Sequence, residues 1–228
     1  MTITRSICAA ALLAAPGLAL AQGFEGAELS AHVAALSNDS KLGVASYAGG
    51  IQIGLFAGIS AGVDIAAHDW RGISGRSNTY TLHGIYELFP GTSVGAYLGQ
   101  ERSGDTRATT YGIEGATELA GIDLAGHLGR WEADAASGTT LGIEGSFALG
   151  QAFALTGGLG AVSGDEDVTT VSLGGEYRFG GGPVVFAGIA HETADDESDT
   201  YLSLGARVEL GNGTTFGSRG LSANRPLF

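Results

Sequence analysis

Apolar and polar residues alternate along most of this chain, and the alternation is clearest near its C-terminal end. The run TTVSLGGEYRFGG, which begins at Thr169, places Val171, Leu173, Tyr177 and Phe179 on one parity and polar or small residues on the other. A period of two predicts a β-strand with one apolar face. The glycines and proline of FGGGP then favour a tight turn, after which PVVFAGIAHE runs back. We therefore expect a β-hairpin here, followed by an acidic loop that ends at residue 199.

The same unit recurs along the chain at intervals of 30 to 33 residues. Six runs align, and they begin at Ser46, Thr79, Thr109, Thr139, Thr169 and Thr200. Each of the first five is followed by a short turn, a returning strand and a longer polar loop. An opening strand over 26–36 and a closing strand over 200–210 bring the predicted total to twelve. An even number of strands lets the first and last strands pair and close a ring.

The outward rows of the six aligned strands carry no charged residue, whereas the opposite rows are polar. A soluble sandwich also alternates, but three features favour a transmembrane barrel. The apolar face is thin, with glycine or alanine at one register; the strands have the length that spans a bilayer; and aromatic residues cluster at both ends of the rows. These aromatic residues are Tyr47, Tyr80 and Tyr111 at one end and Phe56, Phe89 and Phe179 near the other. The predicted fold class is an all-β, antiparallel, up-and-down transmembrane β-barrel.

The ends of the chain differ from the repeats. Residues 1–21 combine Arg5, an apolar stretch and a small-x-small cleavage site, which is typical of a signal peptide. Residues 22–210 form the predicted barrel, and residues 211–228 form a predicted C-terminal periplasmic tail, either an extension or a partial plug. The only cysteine, Cys8, lies in the signal peptide, so neither a disulfide nor a thiolate metal site is expected in the mature chain.

Charge and loop length narrow the location further. The formal net charge of −13 makes nucleic acid an improbable partner. The turns after the first five aligned strands are short, and the loops on the other side are longer and acidic. Outer-membrane barrels have short periplasmic turns and longer extracellular loops. We therefore expect the cell outer membrane of a Gram-negative bacterium, with both termini in the periplasm and with lipid and lipopolysaccharide as partners.

The stretch from Val168 to Leu210 resembles the C-terminal strands of Gram-negative general porins, especially the alphaproteobacterial kind. The resemblance rests on LGGEYRFGGGPVVFAGIAH, an acidic loop and YLSLGARVEL. It implies an assembly signal for the barrel assembly machinery, made of Ser203, Gly205, Val208 and Leu210. General porins have about sixteen strands and a long loop folded into the pore. This chain has twelve predicted strands and no such loop, so the trimeric state of general porins does not carry over to it. The sequence is compatible with a homo-oligomer but does not predict one.

The inward rows point to passive diffusion of small hydrophilic solutes or ions. Rings of carboxylates favour cations, so we expect weak cation selectivity. The alternative is a non-conducting structural or adhesive barrel in which the carboxylates pair with arginines in a filled interior. The predicted lumen-facing residues are His83, Glu87, Glu114, Glu118, Glu144, Glu176, Arg178, Arg207 and Glu209.

Catalytic and metal sites find little support in the sequence. The five histidines belong to no nucleophile motif, so a lipid hydrolase is the weaker hypothesis. They are His32, His68, His83, His127 and His191. The acidic loops at 165–167 and 195–199 suit divalent cations only loosely, because they lack spaced ligands and a turn glycine. No catalytic residue, cofactor or metal ligand is predicted.

Overall fold

The fold is described from a computed structural model, which covers residues 23–222 apart from 73–74, 135, 165–166, 181 and 196. The predicted signal peptide lies outside the described residues. So do Asp165, Glu166 and Asp196 of the acidic loops, and residues 223–228 of the tail.

Twelve antiparallel strands form one closed barrel, as the sequence predicts. The strands are β1 Phe24–Leu36, β2 Gly43–Phe56, β3 Ile59–Arg71, β4 Gly75–Phe89, β5 Thr92–Ser103, β6 Thr106–Leu119, β7 Ile122–Ala133, β8 Ser137–Ala148, β9 Phe153–Ser163, β10 Val168–Arg178, β11 Val184–Ala194 and β12 Glu197–Gly211. Each strand pairs with its neighbours in sequence, and β1 pairs with β12 to close the ring, with Ala31 opposite Ala206. In the described part of the chain, no helix is both long and apolar enough to span a membrane.

Two-residue turns join three of the hairpins at one end of the barrel. Ala57–Gly58 and Ala120–Gly121 have positive φ at both positions, at 45° and 77° and at 53° and 79°. This is the type I′ geometry, whose twist matches that of the flanking strands. Pro90–Gly91 instead has positive φ only at glycine, as in a type II turn. These turns fix the register of each hairpin and hence the alternation of its faces.

Alanine in the left-handed region is strained, and we expect Ala57→Asn to relieve that strain. Asparagine tolerates positive φ better than alanine does, so the free energy of unfolding should rise by about 0.5–1 kcal/mol. Urea unfolding of the barrel in lipid vesicles would measure the change. As a control, Pro90→Asn acts at a turn residue that lacks positive φ and should not stabilise the barrel. A loss of stability in Ala57→Asn would contradict the argument.

The outward surface of the barrel is apolar. Leu82, Leu173 and Leu204 in the middle of their strands are 56%, 62% and 61% exposed, which a soluble domain would not tolerate over a whole surface. The six predicted girdle aromatics are also exposed. Phe56 and Phe89 end their strands and Phe179 follows β10, whereas Tyr47, Tyr80 and Tyr111 are the fifth or sixth residues of theirs. A lipid bilayer covers such a surface without cost, because hydrocarbon replaces water around the leucines.

One returning strand has an orientation that the alternation alone leaves ambiguous. In β11 both parities are apolar or small, yet Val184, Phe186 and Ala190 are buried and face inward, whereas Ile189 is exposed. The neighbouring strand explains the choice. A Cβ at Gly205 of β12 would collide with the ring of Phe186, so the missing side chain makes room for that ring inside the barrel.

Candidate functional site: the barrel interior

The barrel interior contains a continuous cavity of about 790 Å³. Small and polar inward residues such as Ser30, Ser46, Ser146, Thr156 and Gly158 line much of it. Eight strands leave an interior that side chains just fill, so the space follows from twelve strands whose inward side chains are short. The interior is thus neither an open tube nor a solid core.

The C-terminal segment after β12 occupies part of this interior. Two arrangements were open for the tail, an extension outside the barrel or a partial plug, and residues 212–222 adopt the second. The Asn212 amide donates to the Glu25 carbonyl at the turn end of β1, 3.1 Å away. Ser222, ten residues later, lies 3.0 Å from the Ser77 hydroxyl, near the loop end of β4. The segment, which we call the inner tail, therefore passes through most of the barrel's length.

Glycines on the inward face of the wall make room for the inner tail. A Cβ at Gly26 would collide with the Gly213 carbonyl, and one at Gly95 would lie 3.0 Å from the ring of Phe216. Phe216 is 3% exposed and stacks on His83, with 6.2 Å between ring centroids. The wall and the inner tail are therefore complementary in shape.

Charged side chains join the inner tail to the wall at mid-depth. His83 contacts two carboxylates, Asp64 at 3.0 Å from Nε2 and Glu114 at 2.6 Å from Nδ1. Arg219 Nε donates to the other oxygen of Glu114 at 3.0 Å. The Nδ1 contact with Glu114 is a hydrogen bond, whereas the Nε2 contact with Asp64 is an ion pair without hydrogen-bond geometry. The imidazolium form of His83 balances the charge of one of these two carboxylates. Asp64, His83, Glu114 and Arg219, which we call the buried quartet, then carry equal positive and negative charge.

The backbone of the inner tail is bonded to the wall as well. The Arg219 amide donates to Thr81 Oγ1 at 3.0 Å, and its carbonyl accepts from Thr110 Oγ1 at 2.6 Å. Thr81 and Thr110 are almost completely buried. Further along, the Ser222 amide donates to Glu101 at 3.0 Å. These contacts hold the segment against strands β4, β5 and β6.

A second charged group lies on strands β10 and β12, near the turn end. Arg207 bonds both oxygens of Glu176, one of them at 2.7 Å, and its Nε donates to Glu209 at 2.7 Å. Arg178 contacts the other oxygen of Glu209 at 2.8 Å. Four of the predicted lumen-facing residues are therefore neutralised in pairs.

Four further inward carboxylates form an arc near the turn end on strands β4 to β8. Glu118 and Asp123 stand directly opposite each other in the β6–β7 ladder, and Asp123 is opposite Ser146, next to Glu144. With Glu87 they line the cavity, are exposed, and make no ion pair among the described residues. We call Glu87, Glu118, Asp123 and Glu144 the acidic arc. Like charges directly opposite destabilise a sheet, so the arc gives no benefit to folding.

The predicted lumen-facing residues thus occupy three environments. His83 and Glu114 are buried beneath the inner tail, Glu176, Arg178, Arg207 and Glu209 are paired, and Glu87, Glu118 and Glu144 face the cavity. The sequence interpretation did not include Asp64, Glu101 or Arg219 among them, whereas the alternation in IDLAGHLGRW predicts that Asp123, with His127 and Trp131, points inward. The parity of β3 and β5 could have identified Asp64 and Glu101, because they alternate with outward Ile65 and Gln100.

One serine and one histidine lie within hydrogen-bond distance, the geometry that a hydrolase would need. Ser46 Oγ is 2.9 Å from His68 Nδ1, on the inner wall toward the loop end. In the described part of the chain, His68 Nε2 has no hydrogen-bond partner, so no carboxylate orients the ring. His191 contacts Thr200 at 3.0 Å on an exposed surface. No group of three or more described His, Cys, Asp or Glu residues is arranged to hold a metal ion.

The residues of the expected assembly signal lie along β12. Val208 and Leu210 face outward and are partly exposed, at 38% and 36%. Ser203 is buried, and Gly205 lies under the ring of Phe186. The segment therefore has the mixed polar and apolar faces of a barrel strand, and its part in assembly stays a prediction.

Comparison of the sequence with protein families gives one match. The family described as Gram-negative porin matches residues 38–197, more than half of the 228-residue chain. A search of curated proteins finds no match to the sequence.

Several solved porins and an outer-membrane channel share this architecture. The NanC porin superposes with a TM-score of 0.64 at 9% identity, covering 79% of this chain and 98% of its own. The KdgM porin in complex with disordered oligogalacturonate gives 0.57 at 9% identity, covering 80% and 98%. An outer membrane channel from Pseudomonas putida F1 gives 0.59 at 11% identity, covering 84% and 97%. At sequence identities of 9–11%, the similarity to these structures shows a shared fold and does not extend to their solutes.

Proposed function

The chain belongs to the Gram-negative porin family, and on that premise we propose that it is a narrow outer-membrane channel that passes small hydrophilic solutes and prefers cations. The channel function and the location in the outer membrane follow from the family match and the barrel fold. The cation preference is our own inference from the charges along the cavity. Partners are proposed on the same basis: lipid and lipopolysaccharide around the barrel, and the assembly machinery at β12.

One observation carries the proposed selectivity, namely the charge of the cavity wall. Six carboxylates and two guanidinium groups line the cavity. They are Glu28, Glu87, Glu118, Asp123, Glu144 and Glu176, with Arg207 and Arg219. Both arginines are bonded to carboxylates, whereas the acidic arc is unpaired among the described side chains. Fixed carboxylates in a narrow lumen raise the local concentration of cations and exclude anions.

The same charge argues against large anionic solutes. The KdgM porin was solved with oligogalacturonate, a polyanion. In this chain a polyanion would have to pass the acidic arc, where no described lysine or arginine is free to bind its carboxylates. We therefore assign the channel to small cations and neutral solutes.

We propose the orientation from the chain ends and from the charge of the connections. Connection length distinguishes the two ends less than the sequence predicts, because two-residue connections occur at both ends, at 57–58, 90–91 and 120–121 and also at 104–105. The loop end has the longest connection, residues 37–42, and the exposed carboxylates Asp39, Asp105, Asp134 and Asp167. We propose that the turn end, which also holds both ends of the β1–β12 pair, faces the periplasm, as in other outer-membrane barrels.

The hydrolase alternative has weaker support than the channel. Ser46 and His68 form a dyad without an orienting acid, and Ser46 is only 4% exposed. A catalytic nucleophile needs an oriented base and access for a substrate carbonyl. We propose that the protein is not an enzyme and that the pair belongs to the polar wall.

Planar-bilayer recording tests the proposed function directly. We expect stepwise conductance from the purified chain and, in a KCl gradient, a reversal potential of the sign that indicates cation preference, because the wall is acidic. The potential should decrease as salt rises, since the Debye length falls from about 10 Å at 0.1 M to about 3 Å at 1 M. Absence of conductance steps would favour the non-conducting structural barrel, and anion preference would refute the assignment of the acidic arc.

A further inference from the structure

We infer that the inner tail, residues 212–222, is the constriction element of this channel, and that Arg219 on it sets how strongly the lumen prefers cations. The inference rests on the proposed channel function and adds the part of the chain that limits flow. It assigns to a C-terminal segment a role that neither the alternating strands nor the short turns of this barrel can fill.

The first argument is the position of the inner tail. It enters at the turn end beside Glu25 and reaches Ser77 near the loop end, so a solute must pass alongside it through most of the barrel. Arg219, Thr215, Gly217 and Ser218 all line the cavity. The open path is therefore the space between the inner tail and the opposite wall, and the width of that space depends on whether the segment stays seated.

The second argument is that the seat is built for this segment. Phe216 is buried on His83, and the backbone of Arg219 is bonded to buried Thr81 and Thr110. A segment that lay in the lumen only by collapse would not bury an aromatic ring against a wall glycine, as Phe216 does at Gly95. The contacts are specific along its length, which a fixed constriction requires.

The third argument is electrostatic. Arg219 brings the positive charge that balances the buried quartet, since its Nε donates to Glu114 at 3.0 Å. Glu114 and Asp64 face the lumen from β6 and β3, so without Arg219 they would add a net negative charge to the wall at mid-depth. Withdrawal of the inner tail would then widen the pore and strengthen its cation preference at the same time.

Gly220 offers a substitution that unseats the segment without touching the wall. A Cβ at Gly220 would lie 2.5 Å from Glu101 Oε2 and 2.7 Å from Thr79 Cγ2, so Gly220→Val forces residues 219–222 away from the wall. Gly217 is the matched control, because a Cβ there meets no atom within 4 Å. Gly217→Val adds the same side chain to the same segment and leaves its contacts in place.

The conductance test uses the full chain in planar bilayers. We expect Gly220→Val to raise single-channel conductance about twofold or more. The displaced inner tail then no longer occupies part of the lumen, and a twelve-strand barrel has room for a wider water path. Its reversal potential in a KCl gradient should move further to the cation side. Gly217→Val should raise neither quantity. Arg219→Gln should increase cation preference with a smaller change in conductance. Equal conductance and selectivity in all four chains would overturn the inference.

Thiol accessibility gives a second readout that does not depend on conduction. The described residues contain no cysteine, so a single introduced thiol reports on its own position. Thr81→Cys lies beneath Arg219 and should react slowly with a small water-soluble thiol reagent, whereas Ser146→Cys faces the cavity and should react fast. Adding Gly220→Val should speed the reaction at residue 81 and leave that at residue 146 unchanged. Equal rates at both positions in the otherwise unchanged chain would show that the segment is not seated.

The two readouts separate this inference from the proposed function. If the unchanged chain does not conduct but Gly220→Val does, the inner tail seals the lumen, so the inference holds and the open channel fails. If the unchanged chain conducts with cation preference and Gly220→Val behaves identically, the channel stands and the inference fails. If neither chain conducts although both are folded, both fail.

Discussion

Replacing Glu114 by alanine is expected to lower the free energy of unfolding by about 3–5 kcal/mol, which is the usual cost of removing one partner from a buried ion pair. The Glu114 side chain has no exposed surface, and it bonds His83 through one oxygen and Arg219 through the other. Alanine would leave two cationic groups in the interior with only Asp64 to balance them. The loss is large because the side chains of His83 and Arg219 are both buried, so water replaces the carboxylate poorly.

Equilibrium unfolding in urea, with the protein in lipid vesicles and the fluorescence of Trp70 and Trp131 as the signal, would measure the effect. Glu144→Ala is the matched control, because it removes the same carboxylate from an inward position that is exposed to the cavity and has no ion pair among the described residues. We expect the control to change stability by less than about 1 kcal/mol. Similar losses in the two variants would mean that the buried quartet contributes no more than an exposed charge does.

A third variant, Glu114→Gln, distinguishes charge from hydrogen bonding. The amide oxygen can still accept one hydrogen bond, but it carries no charge and cannot serve both His83 and Arg219 equally. We expect a loss of stability between those of the alanine variant and the control. A loss as small as that of the control would show that the hydrogen bonds, not the charge, stabilise the quartet.

The wall of the barrel could be predicted from the sequence because its signal is local. In a strand the side chains alternate, so the parity of Leu173 and Glu176 decides which faces lipid and which faces the interior. The two-residue turns then fix the register of the next strand, and the pairing of β1 with β12 follows from an even strand number. Each step depends only on neighbours in sequence, which is why the count of twelve is confirmed.

The position of the inner tail could not be predicted in this way. Residues 212–222 have no period, and their seat consists of Gly26 on β1, Gly95 and Glu101 on β5, and Glu114 on β6. These groups come together only when the barrel closes. The available signal was indirect: an aromatic residue and an arginine, Phe216 and Arg219, follow the closing strand of a chain whose inward rows are acidic.

The returning strands were predicted less completely for a different reason. Where both parities are small or apolar, as in β11, alternation does not choose a face, and the choice depends on a glycine across the ladder. Asp64 was overlooked because it is a single acid in an apolar run, although its parity with His68 places it on the inner face. A systematic assignment of parity in every strand would have found Asp64, whereas Phe186 requires the three-dimensional pairing.

Removing the charge of the acidic arc is expected to abolish most of the cation preference of the channel. The fourfold variant would carry Glu87→Gln, Glu118→Gln, Asp123→Asn and Glu144→Gln. These side chains line the cavity without ion pairs among the described residues, so their field acts on the permeating ions and not on a neighbouring arginine. In a KCl gradient the reversal potential should fall close to zero, and conductance at low salt should fall because fewer cations are concentrated in the lumen.

The control changes the same net charge at another place. Asp39, Asp105, Asp134 and Asp167 are exposed residues of the connections at the loop end, and their replacement by asparagine removes four negative charges outside the cavity. At 1 M salt, where the Debye length is about 3 Å, we expect this variant to keep the selectivity of the unchanged chain. The acidic arc should still matter there, because ions pass within a few ångströms of its carboxylates in so narrow a space. If both fourfold variants lose selectivity equally, the preference comes from the total charge of the protein. If neither loses it, the paired carboxylates beside Arg207 or the buried quartet must select the ions.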